Sequence, residues 1–199
     1  MSGEAGSIPA RDASQSEDAA EDAVGDEADE GTADSGLACG YPGAGYGLGE
    51  GSALEPFELW TCGEDLRSLP ELWCGNRATV LHFSVGWCFS CTESTYEVMR
   101  ALGTLDEQDV ALVEVLAEDS AHETATAEVC RSWELHFDQP VDVYIPPEGT
   151  IRGPLLRVLT AASLPLTVVL DRHGIVRLWS PAAVPADLAD RIREIVHGA

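Results

Sequence analysis

A buried strand that ends against a pair of thiols constrains this chain more than any other feature. Ala78 to Val85 carries Val80, Leu81, Phe83 and Val85 in a near-continuous apolar run, the pattern of a strand covered on both faces. Directly after it comes Trp87-Cys88-Phe89-Ser90-Cys91, and a helix is predicted from about Cys88 to Leu102, with Val98, Met99, Leu102 and Leu105 on one face. A cysteine at such a junction meets the unpaired N–H groups and the positive pole of the helix, which stabilise a thiolate. Two intervening residues put the second thiol on the next turn, close enough for a small-loop disulfide. Cys88 is then the exposed nucleophile, and Cys91, deeper in the helix, the resolving thiol.

The surrounding pattern is an α/β alternation. Gly40 to Gly51 is a Gly-rich irregular lead-in, Phe57–Trp60 a short strand, and Cys62–Asp65 a turn. Val110–Leu116 reads as a strand, 123–135 as a helix with Ala125, Val129 and Trp133 spaced by four, and Val141–Tyr144 as a short strand closed by Pro146-Pro147. Leu155–Leu159 is helical. Leu166–Leu170 and Ile175–Trp179 form a hairpin about Asp171–Gly174. Pro185 opens a last amphipathic helix with Leu188, Ile192, Ile195 and Val196 on its apolar stripe. This order predicts parallel pairing early in the sheet and antiparallel pairing late.

Charge separates the chain into two parts. Acidic residues number 35 against 11 basic ones, for a net charge of −24, and every basic residue is Arg. The absence of Lys removes P-loop and Schiff-base chemistry. A balance this acidic also argues against nucleic acid or an anionic membrane surface as partner. Residues 1–36 hold 11 acidic side chains against Arg11, with only Met1, Ile8 and Val24 as large apolar groups. Such a segment is expected to be a disordered acidic tether, leaving 37–199 as one domain. No export signal is visible and no run approaches the ~18 apolar residues of a spanning helix. Gly36-Leu37-Ala38-Cys39 has the outline of a lipoprotein cleavage site but lacks the apolar segment before it.

A lone C-x-x-C also supplies half a zinc site, yet no second such pair exists among Cys39, Cys62, Cys74 and Cys130. About 75 residues after the first motif stands a second, Ser163-Leu164-Pro165 followed by Leu166–Asp171 and Gly174. Together the two motifs resemble the thioredoxin superfamily. The helical insertion around 119–137 and the additional segment around 56–70 resemble its TlpA/ResA-type thiol–disulfide oxidoreductases. The resemblance covers roughly 54–197. It implies a thioredoxin fold, a central mixed sheet flanked by helices, with an N-terminal β extension and a central helical insertion. It also implies that Pro165 is the cis-proline facing the disulfide, that Leu164 docks an incoming substrate strand, and that Trp87 supports the redox pair.

Some positions depart from that family. A Glu three residues after the second Cys is frequent in the TlpA/ResA type; here Ser94 occupies the position, and Glu93 faces elsewhere on the helix. His82 stands six residues before Cys88, where thioredoxins carry a buried Asp. Two readings stay open for it, a hydrogen-bonded core histidine and a proton acceptor for Cys91. A peroxiredoxin is excluded, since Val85 and Leu81 stand where that family needs Thr and Pro.

For the outer cysteines three connectivities are open. The expected pairs are Cys62–Cys74, closing an 11-residue segment, and Cys39–Cys130, with a buried free thiol at Cys130 as the alternative. Such bonds imply an oxidising compartment. The chain is accordingly expected to be a periplasmic or cell-envelope oxidoreductase, exchanging disulfides with protein substrates and working as a reductant. A membrane-bound recycling partner, a monomeric state, and no metal or cofactor complete the expectation. A copper-binding module using Cys88, Cys91 and His173, or a non-catalytic interaction module, are the alternatives.

Overall fold

Strand β3 (Ala78–Ser84) is buried at every position, as its apolar run predicts, and the rest of the molecule is arranged around it. The structure, a computed structural model, describes residues 38–105, 109–147 and 151–198; the expected tether at 1–36 lies outside them. The elements in order are β1 (Glu58–Thr61), β2 (Leu66–Ser68), α1 (Leu69–Trp73), β3, α2 (Phe89–Gly103), β4 (Val110–Leu116), α3 (Ala127–Glu134), β5 (Val143–Ile145), α4 (Gly153–Ala161), β6 (Leu166–Asp171), β7 (Val176–Pro181) and α5 (Leu188–Gly198). The strands form one seven-stranded sheet in the order β2-β1-β5-β4-β3-β6-β7. β3, β4 and β5 pair in parallel; β6 and β7 are antiparallel, as is the β1–β2 extension on β5.

The two faces of the sheet carry different cores. Leu81, Phe83, Val113, Val115, Leu166 and Val168 meet Leu69 and Trp73 of α1 and Leu155 and Val158 of α4 on one face. On the other, Val80 and Val169 pack against Val98 of α2 and Leu188, Ile192 and Val196 of α5. Leu116, Val143 and Ile145 on this second side pack with Cys130 of α3 and with Met99 of α2.

Two elements were not foreseen. β2 and the five-residue α1 follow the turn at Cys62–Asp65, and Ser68 and Glu71 close a capping box at the start of α1. They also overturn the expected disulfides. The bonds are Cys39–Cys74 and Cys62–Cys130, not Cys62–Cys74 and Cys39–Cys130, and no cysteine is free. Cys62 follows β1, whose Trp60 pairs with Ile145 of β5; α3 packs on β5 and presents Cys130 there. Cys74 instead caps α1, where Tyr41 of the lead-in stacks edge-on against Trp73 with ring centres 5.2 Å apart. Proximity in sequence misleads here because α1 carries Cys74 away from Cys62. The insertion is also less helical than expected: 119–126 is a turn closed by a Glu118–Thr124 bridge, and only 127–134 is helix.

Candidate active site

β3 delivers the chain to the start of α2, and Cys88 becomes the N-cap of that helix in an extended conformation. Its sulfur accepts the backbone N–H of Cys91 at 3.2 Å and the hydroxyl of Ser90 at 3.3 Å. Cys88 is partly exposed and Cys91 wholly buried, and the two are joined in a disulfide with Cα atoms 5.3 Å apart. Donors converging on one sulfur, together with the helix pole, favour a negative charge there once the bond opens. Cys91 has no such surroundings; it packs with Val85 and Ala117.

The second motif lies beside this cluster. The Leu164–Pro165 peptide is cis, and Leu164, Ile151 and Leu159 pack, as Cys88 does, against buried Val85, Cys91 and Ala117. Trp87 is 46% exposed and Phe89 80%, so a large apolar surface borders the Cys88 sulfur. Trp87 is held from the insertion: its indole N–H donates to Glu118 at 2.7 Å, and His122 stacks on its ring at 4.7 Å. Gly86 allows this approach, because a Cβ there would lie 2.9 Å from the Asp119 backbone. His173 is not brought to the thiols. Ala78 pairs with Asp171 and Phe83 with Leu166, so the β6–β7 turn lies at the far end of the sheet from Cys88. The three-ligand copper arrangement is therefore not assembled.

Beneath Cys91 lies a layer of buried polar groups, and it includes His82. Strand alternation correctly puts His82 and Ser84 on the α2 face. Both imidazole nitrogens are engaged, Nδ1 with Thr167 Oγ1 at 3.0 Å and Nε2 with Ser94 Oγ at 2.9 Å. Ser94 gives its only hydroxyl hydrogen to the Cys91 carbonyl, so hydrogen count assigns Nε2 as the donor to Ser94 and Nδ1 as the acceptor from Thr167. Burial pushes the ring's pKa down to about 3, keeping it neutral.

Glu114 is the member of this layer that the sequence reading missed. It is the register partner of His82 on β4 and is fully buried, and the Thr95 hydroxyl bonds both its Oε1 at 3.2 Å and the Cys91 carbonyl at 3.0 Å. Burial pushes its pKa up to about 7 against the opposing pull of Ser84, Thr95 and Trp133. Ser84 Oγ and Trp133 Nε1 face the carboxyl without completing a hydrogen bond, and Oε2 has no bonded partner. The signal was available: a single acid in Val-Ala-Leu-Val-Glu-Val-Leu, an otherwise apolar strand.

No family model matches the sequence, and no curated protein does. Solved structures do. The thioredoxin domain of a thiol-disulfide oxidoreductase from Bacteroides vulgatus superposes with a TM-score of 0.61 at 12% identity, covering 76% of this chain and 100% of that one. A protein named thiol:disulfide interchange protein DsbE from Chlorobium tepidum gives 0.59 at 20% identity, over 75% and 99% of the two chains. An exposed lipoprotein thioredoxin from Streptococcus pneumoniae gives 0.51 at 18%, over 73% and 100%. At these identities the likeness establishes the fold, and the fold is that of thioredoxin.

Proposed function

We propose that this protein is a thiol–disulfide oxidoreductase in which Cys88 attacks and Cys91 resolves. The observation that carries the reading is the sulfur of Cys88, partly exposed at the N-cap of α2 with an N–H and a hydroxyl aimed at it, while its partner is buried. Opened, the pair offers one stabilised thiolate to solvent and holds one thiol in reserve. In the reducing direction the Cys88 thiolate attacks a substrate disulfide, forming a mixed disulfide and expelling the first substrate thiolate; Cys91 then displaces the second. Extended protein segments are the substrates that suit Trp87, Phe89 and Leu164 around an open sulfur. Reduction is the direction that resemblance to the TlpA/ResA type favours.

A cell-envelope location follows from the same chemistry. Two further disulfides hold the lead-in and the insertion to the domain, and such bonds persist in oxidising compartments. One fold neighbour is described as an exposed lipoprotein. Among the described residues no helix is long and apolar enough to cross a membrane.

The test is an insulin-reduction assay paired with substrate trapping. Cys88→Ser is expected to abolish exchange, and Cys91→Ala to accumulate mixed disulfides through Cys88. Equal alkylation of both reduced thiols at pH 7, or exchange surviving Cys88→Ser, would overturn the assignment.

A further inference from the structure

Resolution requires Cys91 to lose its proton inside an apolar site, where a bare thiolate is costly. The group expected to take that proton from the sequence, His82, has its one free lone pair committed to Thr167 on β6. Glu114 is differently placed. Its Oε1 shares the Thr95 hydroxyl with the backbone carbonyl of Cys91, and its Oε2 is buried, with Ser84 and Trp133 facing the carboxyl but no completed hydrogen bond. A buried carboxylate oxygen without a completed hydrogen bond is expensive, and a proton on Glu114 lowers that cost.

Thr95 links the two sites through a simple count. It has one hydroxyl hydrogen and two acceptors in reach. When Glu114 carries a proton, the carboxyl donates to Thr95 Oγ1 and Thr95 donates to the Cys91 carbonyl, so every hydrogen is used. When Glu114 is ionised, Thr95 must turn to it, and the Cys91 carbonyl keeps the Ser94 hydroxyl. The charge on Glu114 is thus felt at Cys91 through one side chain.

Resting on the oxidoreductase reading above, we propose that Glu114 is the positioning and proton-holding residue for Cys91, neutral when Cys91 is a thiolate and ionised when Cys91 is a thiol. In the reducing direction the mixed disulfide, Cys91–SH and Glu114–COO⁻ become the Cys88–Cys91 disulfide, a substrate thiolate and Glu114–COOH. The Cys91 electron pair forms the new S–S bond as the Cys88–substrate bond breaks. The dithiol has given two electrons to the substrate disulfide, the substrate thiolate takes a proton from water, and Glu114 later returns its own. In the reverse direction Glu114–COOH supplies the proton to the departing Cys91. Two negative charges in this buried space exclude each other, which is what couples them.

The groups packed around Glu114 are uncharged: His82 and Ser84 from β3, Thr95 from α2, Trp133 from α3, and its other register partner Val143 from β5. Its affinity for a proton near neutral pH suits both giving and taking one.

The test is stopped-flow measurement of mixed-disulfide formation and resolution from pH 6 to 9 in wild type and Glu114→Gln. The variant is expected to form the mixed disulfide at the wild-type rate. Resolution should slow about tenfold at pH 7, with the deficit closing at alkaline pH where Cys91 ionises unaided. An unchanged resolution profile overturns the proposal while leaving the oxidoreductase reading intact; a wild type that forms no mixed disulfide overturns both. Carbon-13 titration of the Glu114 carboxyl in wild type guards against a variant that fails to fold. Its midpoint should differ between the oxidised and reduced protein, and identical midpoints overturn the proposal.

Discussion

The Cys88–Cys91 and Cys62–Cys130 disulfides both hold their Cα atoms 5.3 Å apart, yet their surroundings have opposite electrostatic sign. At Cys88 an N–H and a hydroxyl donate to the sulfur at the positive pole of α2. At Cys62 and Cys130 the Val143 carbonyl oxygen lies 3.7 and 3.6 Å from the two sulfurs, both buried. An acceptor beside sulfur favours a protonated thiol and opposes a thiolate, so nothing there activates exchange. One bond closes a sequence separation of 3 residues and the other a separation of 68. The polarity of the neighbours and the size of the loop, rather than the bond itself, separate a reagent from a staple.

The comparison can be broken most severely at the staple. Replacing Cys62 and Cys130 together by Ala is expected to cost about 4 kcal/mol in denaturant unfolding, by the loop-entropy relation for a loop of this size. Alkylation of reduced Cys88 should be unchanged. A large change in Cys88 reactivity would mean that the two regions are not independent.

The polar layer sharpens the same contrast through pH. Glu114 holds a proton in the folded state that the unfolded chain releases, since its pKa is raised from 4.5 to about 7. The stability this supplies is complete below pH 4.5 and is lost as pH rises to 7. Wild type should therefore lose about 3 kcal/mol relative to Glu114→Gln across that interval. His82 works with the opposite sign, its pKa lowered from 6.5 to about 3. The unfolded chain takes up a proton below pH 6.5 that the folded protein refuses. Relative to His82→Phe, wild type should lose about 2 kcal/mol between pH 6.5 and 5. Chemical denaturation of the three proteins over pH 4.5 to 8 measures both slopes. Parallel curves would remove both groups from the buried layer.

Much of this was legible in the chain. The run from Val80 to Val85 ahead of Cys88 places the central strand, the start of α2 and the Cys88–Cys91 pair at once, because a strand buried at every position tolerates few other places in a fold. The hairpin about Asp171–Gly174 was equally plain: Gly174 has φ +72°, and a Cβ there would meet Pro42 at 2.8 Å. The disulfide pairing was not legible. It depends on α1, only five residues long, and on β1 lying beside β5, a contact between segments some 85 residues apart. Glu114 was missed for a different reason. Period-two reading classes β4 by its apolar majority and passes over the one acid within it; what that acid meets, His82 of β3, is set by the strand register.

The most direct measurement is a redox titration in glutathione or dithiothreitol buffers, with each disulfide followed by differential alkylation and peptide mapping. The account predicts that Cys88–Cys91 opens alone, at a potential near about −270 mV for a reductant, while Cys39–Cys74 and Cys62–Cys130 stay closed. Opening of either outer bond together with or before Cys88–Cys91 would contradict it.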